Sequence, residues 1–320
     1  MSLPTTVKPK LGISACLLGA EVRYNGGHKE SHLCTRALNE YFEFVPLCPE
    51  VAIGMGIPRE PIRLVGDPDA PQAVGTVNRD LNVTDALAGY GARMAAEVDD
   101  ICGYIFMQKS PSCGLERVKV YRDNGAPFDA GGRGIYARAF CEQHPNLPVE
   151  EDGRLNDAVL RENFITRVFA YAAWQELLRA GVSRRSLTEF HSRYKYQLMA
   201  NNPVQYKVLG NLLGSMGRSD PNEVAPRYFS QLMAALKKCA TRRTHTNVLQ
   251  HLSGYLKQTI TADDKREIQE VIGQYHQGIV PLIVPLTLLK HHFRQHPDPY
   301  VALQVYMQPH PENLSLRNAI

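Results

Sequence analysis

Lys10-Leu11-Gly12-Ile13-Ser14-Ala15-Cys16 is the first of three similar runs, the others being Phe42-Glu43-Phe44-Val45-Pro46-Leu47-Cys48 and Ile101-Cys102-Gly103-Tyr104-Ile105-Phe106-Met107. Short apolar runs bounded by turn residues read as strands. Between them lie a helix-like segment from Ser31 to Tyr41, a turn-rich stretch from Gly54 to Pro71, and a long helical pattern from about Val83 to Asp99. Strand, helix, strand, helix, strand predicts an α/β domain with a mainly parallel sheet. Each strand brings a cysteine to or just beyond its carboxyl end: Cys16, Cys48 and, after a Ser-Pro-Ser loop, Cys113. Open α/β sheets bind ligands at that edge. The three thiols are therefore expected to converge.

Outward from this core the pattern breaks at Pro145 to Arg154, and beyond it the chain reads as helical almost throughout. The expected division is an α/β domain over 1–155 and an all-α domain over 156–320. Leu160, Phe164, Val168 and Tyr171 keep helical spacing up to Gly181, and further helices are predicted over 186–200, 203–214, 222–240, 244–259, 262–277 and 284–295, punctuated by Pro and Gly. Tyr196, Leu198, Tyr206, Leu209, Leu212 and Leu213 are expected in the bundle core. The two halves differ in charge: residues 1–160 hold 16 Lys and Arg against 21 Asp and Glu, residues 161–320 hold 20 against 11. A basic domain joined to an acidic one suggests a polyanionic partner for the former. Met1 to Lys10 lacks an apolar leader core, and no later run approaches the roughly 20 apolar residues of a membrane span. The expectation is a soluble cytoplasmic protein with no membrane attachment and no obligate protein partner.

Seven cysteines, an odd number without framework spacing, suggest reduced thiols, some of them ligands. Intervals of 31 and 64 residues between Cys16, Cys48 and Cys113 do not make a metal signature, because such signatures usually pair ligands about two to four residues apart. Their surroundings are more informative. Leu47-Cys48-Pro49-Glu50 and Lys109-Ser110-Pro111-Ser112-Cys113-Gly114 are polar, turn-forming contexts, whereas Cys34, Cys102, Cys141 and Cys239 sit among apolar neighbours and read as packing residues.

Ser14-Ala-Cys-Leu-Leu-Gly19, Val22-Arg-Tyr-Asn-Gly-Gly-His-Lys29, Cys48-Pro-Glu50 with the Gly/Pro-rich stretch to Pro61, and Lys109-Ser-Pro-Ser-Cys-Gly114 occur in that order. In these elements the chain resembles the thiouracil desulfidases over about residues 10–145. Phe190-His-Ser-Arg-Tyr-Lys-Tyr-Gln-Leu-Met-Ala200 resembles the helical domain often fused to them, an arrangement like that of the bacterial enzymes that desulfurate 4-thiouridine in tRNA. The resemblance implies a [4Fe-4S] cluster held by only three cysteines, here Cys16, Cys48 and Cys113, with one iron open to substrate. It implies conversion of 4-thiouridine to uridine with release of sulfide.

Such a reaction needs a proton acceptor near the cluster. Glu50 is the leading candidate, with Ser110, favoured by the resemblance, as its catalytic partner, and a surface or helix-capping carboxylate is the competing reading of Glu50. Asn25, Lys29, Lys109 and Ser112 are the candidates for substrate contact, the two lysines toward a phosphate. Asp129-Ala-Gly-Gly-Arg-Gly134, ahead of a helix, offers a further place for an anion. In the basic half Arg193, Lys195, Lys237, Lys238, Arg242, Arg243, Lys290 and Arg294 lie among Tyr and His, a mixture that suits RNA. Three other readings stay open: a desulfidase of free thiouracil or thiouridine monophosphate; a sulfur-inserting enzyme, which the absence of a G-x-x-x-x-G-K-[ST] loop disfavours; and a non-catalytic RNA-binding or zinc-binding protein.

Overall fold

A computed structural model describes residues 8–217 and 219–320, which form two compact units dividing between Asn156 and Asp157. The first contains strands β1 (Lys10–Ser14), β2 (Glu43–Leu47), β3 (Ile62–Val65), β4 (Gln72–Gly75), β5 (Gly103–Phe106), β6 (Val120–Tyr121) and β7 (Val149–Glu151), with helices α1 (Pro49–Ala52), α2 (Thr84–Glu97) and α3 (Ile135–Gln143). Its main sheet is wholly parallel, in the order β2-β1-β5-β7. In the centre Ile13 stands opposite Pro46 on one side and Ile105 on the other. Leu11, Ile13, Tyr104, Ile105 and Phe106 are fully buried, as expected where helices cover a parallel sheet. Gly12 lies beneath the Tyr104 ring, where a Cβ would come within 2.4 Å of it. Only glycine fits at that point of β1.

Two features depart from the sequence reading. The segment Pro145 to Arg154, read as a break, contains β7, the fourth strand of the main sheet. Val149-Glu150-Glu151 carries no apolar alternation, yet both carboxylates are buried because each has partners: Glu150 accepts from Arg154 Nε at 2.7 Å, and Glu151 accepts from the backbone N–H groups of Leu115 and Glu116 at 2.9 and 3.3 Å. The turn-rich stretch likewise holds β3, which pairs antiparallel with β4 and parallel with β6 in a second, three-stranded sheet. Alternate residues of β3, Ile62 and Leu64, enter its small core. The predicted helix over Ser31 to Tyr41 is a single π-helical segment, Leu33–Leu38.

The second unit is all helical: α4 (Ala158–Ala180), α5 (Arg184–Asn201), α6 (Pro203–Gly214), α7 (Pro221–Lys237), α8 (Arg242–Ser253), α9 (Ala262–Gln277), α10 (Ile283–Gln295) and α11 (Pro299–Ala302). Its starts are encoded locally. Asp157 caps α4, Ser183, Thr241 and Thr261 form capping boxes on α5, α8 and α9, and Pro occupies the first turn of α6 and α7. One core gathers around Trp174, which stacks on Phe229 at 4.7 Å, and includes the expected Leu198, Leu209 and Leu213, with Tyr206 and Leu212 partly buried against it. A second surrounds Tyr196, Leu249, Ile272, Leu289 and Tyr306. Among the described residues no helix is long and apolar enough to cross a membrane.

Candidate active site

At the carboxyl edge of the parallel sheet a cavity of about 460 Å³ is lined by the ends of all three cysteine-bearing segments. Cys16 lies in the 3-10 turn Ala15–Leu18 directly after β1. Cys48 follows β2 and begins α1, whose proline at the first position sets the helix going. Cys113 arrives after β5 through Gln108-Lys109-Ser110-Pro111-Ser112, where Lys109 takes a left-handed backbone conformation, φ 59°, unusual for a residue with a side chain. Cys16 and Cys113 are buried and Cys48 is half-buried, and none of the three is in a disulfide. Cys34, Cys102, Cys141 and Cys239 do not line the cavity.

Glu50, two residues after Cys48, is the one carboxylate on the cavity wall among the described residues. Oε1 accepts a hydrogen bond from Ser112 Oγ at 2.5 Å, and Oε2 accepts from Arg59 Nε at 2.9 Å and from Arg59 Nη2. Ser110 Oγ lies 3.0 Å from Ser112 Oγ and accepts from the backbone N–H groups of Ser112 and Cys113 at 3.3 and 3.1 Å. A hydroxyl has one proton and two lone pairs. With both lone pairs of Ser110 occupied and the proton of Ser112 on Glu50, the proton of Ser110 points to Ser112. Every proton in this chain leads toward Glu50. Ser112 thus stands in contact with Glu50, while Ser110 also folds the loop that carries Cys113. Arg59, the partner of Glu50, was not among the residues that the sequence pointed to. Its signal was slight: a lone arginine between Pro58 and Pro61 in a glycine- and proline-rich stretch.

Of the candidate substrate contacts, Lys29, Lys109 and Ser112 line the cavity, joined by Arg23 and Tyr24, which the sequence reading had not singled out. Asn25 does not. Its Oδ1 accepts from the Gly27 N–H at 3.2 Å and shapes the loop instead. In Asp129 to Gly134 two of the glycines serve close packing. A Cβ on Gly131 would fall 2.3 Å from the Arg117 backbone and one on Gly134 2.5 Å from the Ser112 carbonyl oxygen. The backbone N–H groups of Gly134, Ile135 and Ala137, at the start of α3, donate to the carbonyls of Gly114, Pro111 and Ser112. These three donors of the helix N-terminus hold the Cys113 loop.

The basic candidates of the helical unit divide by environment. Lys237, Lys238, Arg243 and Arg294 are exposed. Arg242 donates to the Tyr275 carbonyl at 3.1 Å with its guanidinium over the same ring, Lys290 pairs with Glu312, and Lys195 stands over the rings of Tyr196 and Tyr300. Arg193 is half-buried on α5.

Burial pushes the thiol of Cys16 up to about 11, with the neighbouring charge of Cys48 adding to the effect. Those of Cys48 and Cys113 are raised as well, again chiefly by burial, and for Cys113 Glu50 contributes next. Desolvated sulfurs of this kind need a cation to become thiolates. Three cysteine sulfurs lining one cavity are soft donors of the kind that hold iron–sulfur clusters.

Residues 11–152 match the 2-thiouracil desulfurase family, and residues 195–311 match DUF1722, a family of unknown function. Uncharacterized protein YbgA of Escherichia coli (strain K12) is 28% identical over 159 residues, which cover 49% of this chain and 94% of that protein. Uncharacterized protein YbbK of Bacillus subtilis (strain 168) is 32% identical over 108 residues, 32% of this chain and 71% of its own. Among solved structures, the [4Fe-4S]-dependent thiouracil desulfidase TudS is similar at 29% identity and a TM-score of 0.36, covering 47% of this chain and 94% of TudS.

Proposed function

As the chain belongs to the thiouracil desulfidase family, with a DUF1722 domain following the catalytic one, we propose that it converts 4-thiouridine in tRNA to uridine, releasing sulfide. The observation that carries the reading is the convergence of Cys16, Cys48, Cys113 and Glu50 on one cavity at the carboxyl edge of a parallel sheet. Cys16, Cys48 and Cys113 would hold a [4Fe-4S] cluster, which when bound would supply a Lewis acid for the soft sulfur of a thiocarbonyl. Glu50 acts as base. A water molecule adding at the ring carbon gives one proton to the Glu50 and Ser112 pair, which passes it to the departing sulfur as the carbon–sulfur bond breaks; sulfur leaves as hydrosulfide, and the second water proton goes to solvent as the carbonyl forms. Lys29, Lys109 and Arg23 offer positive charge to the nucleotide phosphate. The excess of 20 Lys and Arg over 11 Asp and Glu in residues 161–320, with Lys237, Lys238 and Arg243 exposed, supports the helical unit as the part that holds RNA. The phosphate-facing cations of the cavity also favour a second reading, in which thiouridine monophosphate is the substrate.

The test is anaerobic purification with iron, sulfide and visible-absorption measurements, followed by addition of 4-thiouridine-containing tRNA. Loss of the near-ultraviolet thiouridine band with release of sulfide, and neither with Cys113→Ala, is the expected result. A brown protein that leaves the tRNA band intact but consumes thiouridine monophosphate would favour the second reading. A protein that stays colourless after cluster reconstitution would overturn both.

A further inference from the structure

We propose that Arg59 is the positioning residue of this reaction, holding the Glu50 carboxylate against Ser112 at the cavity wall. The inference rests on the desulfidase reading for its consequence but on geometry for its substance. Glu50 sits on α1, a helix of four residues, too short to orient a side chain by its own stability. Arg59 supplies what α1 lacks. Its Nε and Nη2 both meet Glu50 Oε2, its Nη1 donates to the Gly56 carbonyl at 3.1 Å, and its backbone N–H donates to the Tyr24 carbonyl at 2.8 Å.

These contacts fasten three pieces of the wall together: α1, the loop after it, and the segment bearing Arg23 and Tyr24. They also occupy one carboxylate oxygen completely, so that the other is presented to Ser112. The two side chains are only 3% and 15% exposed, where an ion pair loses little to solvent and its removal leaves an uncompensated charge. Three of its five guanidinium N–H donors go to protein acceptors, two of them to Glu50, and it is through Glu50 that Arg59 is assigned its role. Lysine can replace it only in part, since a single ammonium keeps the charge but does not match a fork that reaches Glu50 and Gly56 at once.

The experiment compares Arg59→Gln, Arg59→Lys, Glu50→Gln and the double variant Arg59→Gln/Glu50→Gln in the cluster-reconstituted full chain, using 4-thiouridine-containing tRNA and thiouridine monophosphate. Arg59→Gln is expected to lower kcat about 100-fold, within the range of general base catalysis, with KM changed less than about twofold and iron and sulfide contents unchanged. Arg59→Lys should restore part of the rate, and the double variant should be no slower than Glu50→Gln alone. A crystal structure of Arg59→Gln should show Glu50 detached from Ser112. Retention of that hydrogen bond, an additive loss in the double variant, or loss of iron in step with activity would each overturn the proposal. If the unmodified loaded protein acts on neither substrate, the desulfidase reading fails, and the Arg59→Gln structure still decides whether Arg59 places Glu50.

Discussion

Ser112 and Ser110 differ by two positions in sequence and by task in the structure. Ser112 is fully buried and donates to Glu50, and its Oγ lies 3.7 Å from Cys113 Sγ. Ser110 accepts the backbone N–H groups of Ser112 and Cys113 and so sets the conformation of the ligand loop. Ser112→Ala is therefore expected to keep its iron but lose turnover, by a factor on the order of 100, while Ser110→Ala should lose iron and turnover together. Iron content and initial rate on the same preparations distinguish the two. Glu50→Gln belongs with Ser112→Ala, lowering kcat with iron retained. A Glu50→Gln protein as fast as the unmodified one would remove Glu50 from the mechanism.

At the scale of elements, the start of α3 does for Cys113 what the first turn of α1 does for Cys48. Its opening N–H groups donate to the carbonyls of Pro111, Ser112 and Gly114, an arrangement that satisfies the unpaired donors of a helix start with a catalytic loop in place of a cap. The close approach requires glycine. Gly134→Ala places a Cβ 2.5 Å from the Ser112 carbonyl oxygen, and relief of such overpacking costs about 1–3 kcal/mol. The variant is expected to melt at lower temperature and to bind less iron than unmodified protein, as thermal unfolding and iron assay would show. Among the helices of the second unit, Lys237, Lys238 and Arg243 are the cleanest test of RNA binding, because Arg242 also packs on Tyr275. Replacing the three by alanine should weaken tRNA binding and lower its salt dependence, by about one unit of slope for each phosphate contact removed, with turnover of thiouridine monophosphate unchanged. Equal loss on both substrates would argue against an RNA-holding role.

Over the whole molecule, the helical unit carries buried groups that tie its stability to pH. Burial holds His191 and His245 down to about 4. In the unfolded chain a histidine takes up its proton near 6.5, so stability falls as pH drops from there toward 4. Burial alone would raise Glu162, but His310 and Arg317 more than offset it and hold the carboxyl at about 2. Its contribution is complete above the ordinary glutamate value and disappears as pH falls from about 4.5 to 2. Both effects act in the same direction. Trp174 is the single tryptophan, buried in this unit against Phe229, so its fluorescence follows this unit alone. The unfolding temperature it reports should decrease steadily below pH 6.5, and His245→Gln should blunt the upper part of that decline. A transition independent of pH between 6.5 and 4 would contradict the assignment.

By itself the sequence determined the three cysteine-bearing strands, the all-helical second half and the motifs that carry the family resemblance. These are local properties: an apolar strand run, a Ser or Thr at a helix start, a proline in a first turn and a Cys-Pro-Glu triplet each declare themselves within a few residues. Tertiary structure alone decided what depends on partners distant in sequence. β7 joins the main sheet although two of its three residues are glutamates, because Arg154 and the Leu115 and Glu116 amides satisfy them. Asn25 turned out to shape a turn, and the glycines of residues 129–134 serve close packing, which no spacing rule separates from a ligand loop. Arg59 meets Glu50, and Ser112 meets it from 62 residues away. A buried carboxylate takes its role from whichever donors the fold delivers to it, and only the folded chain specifies those donors.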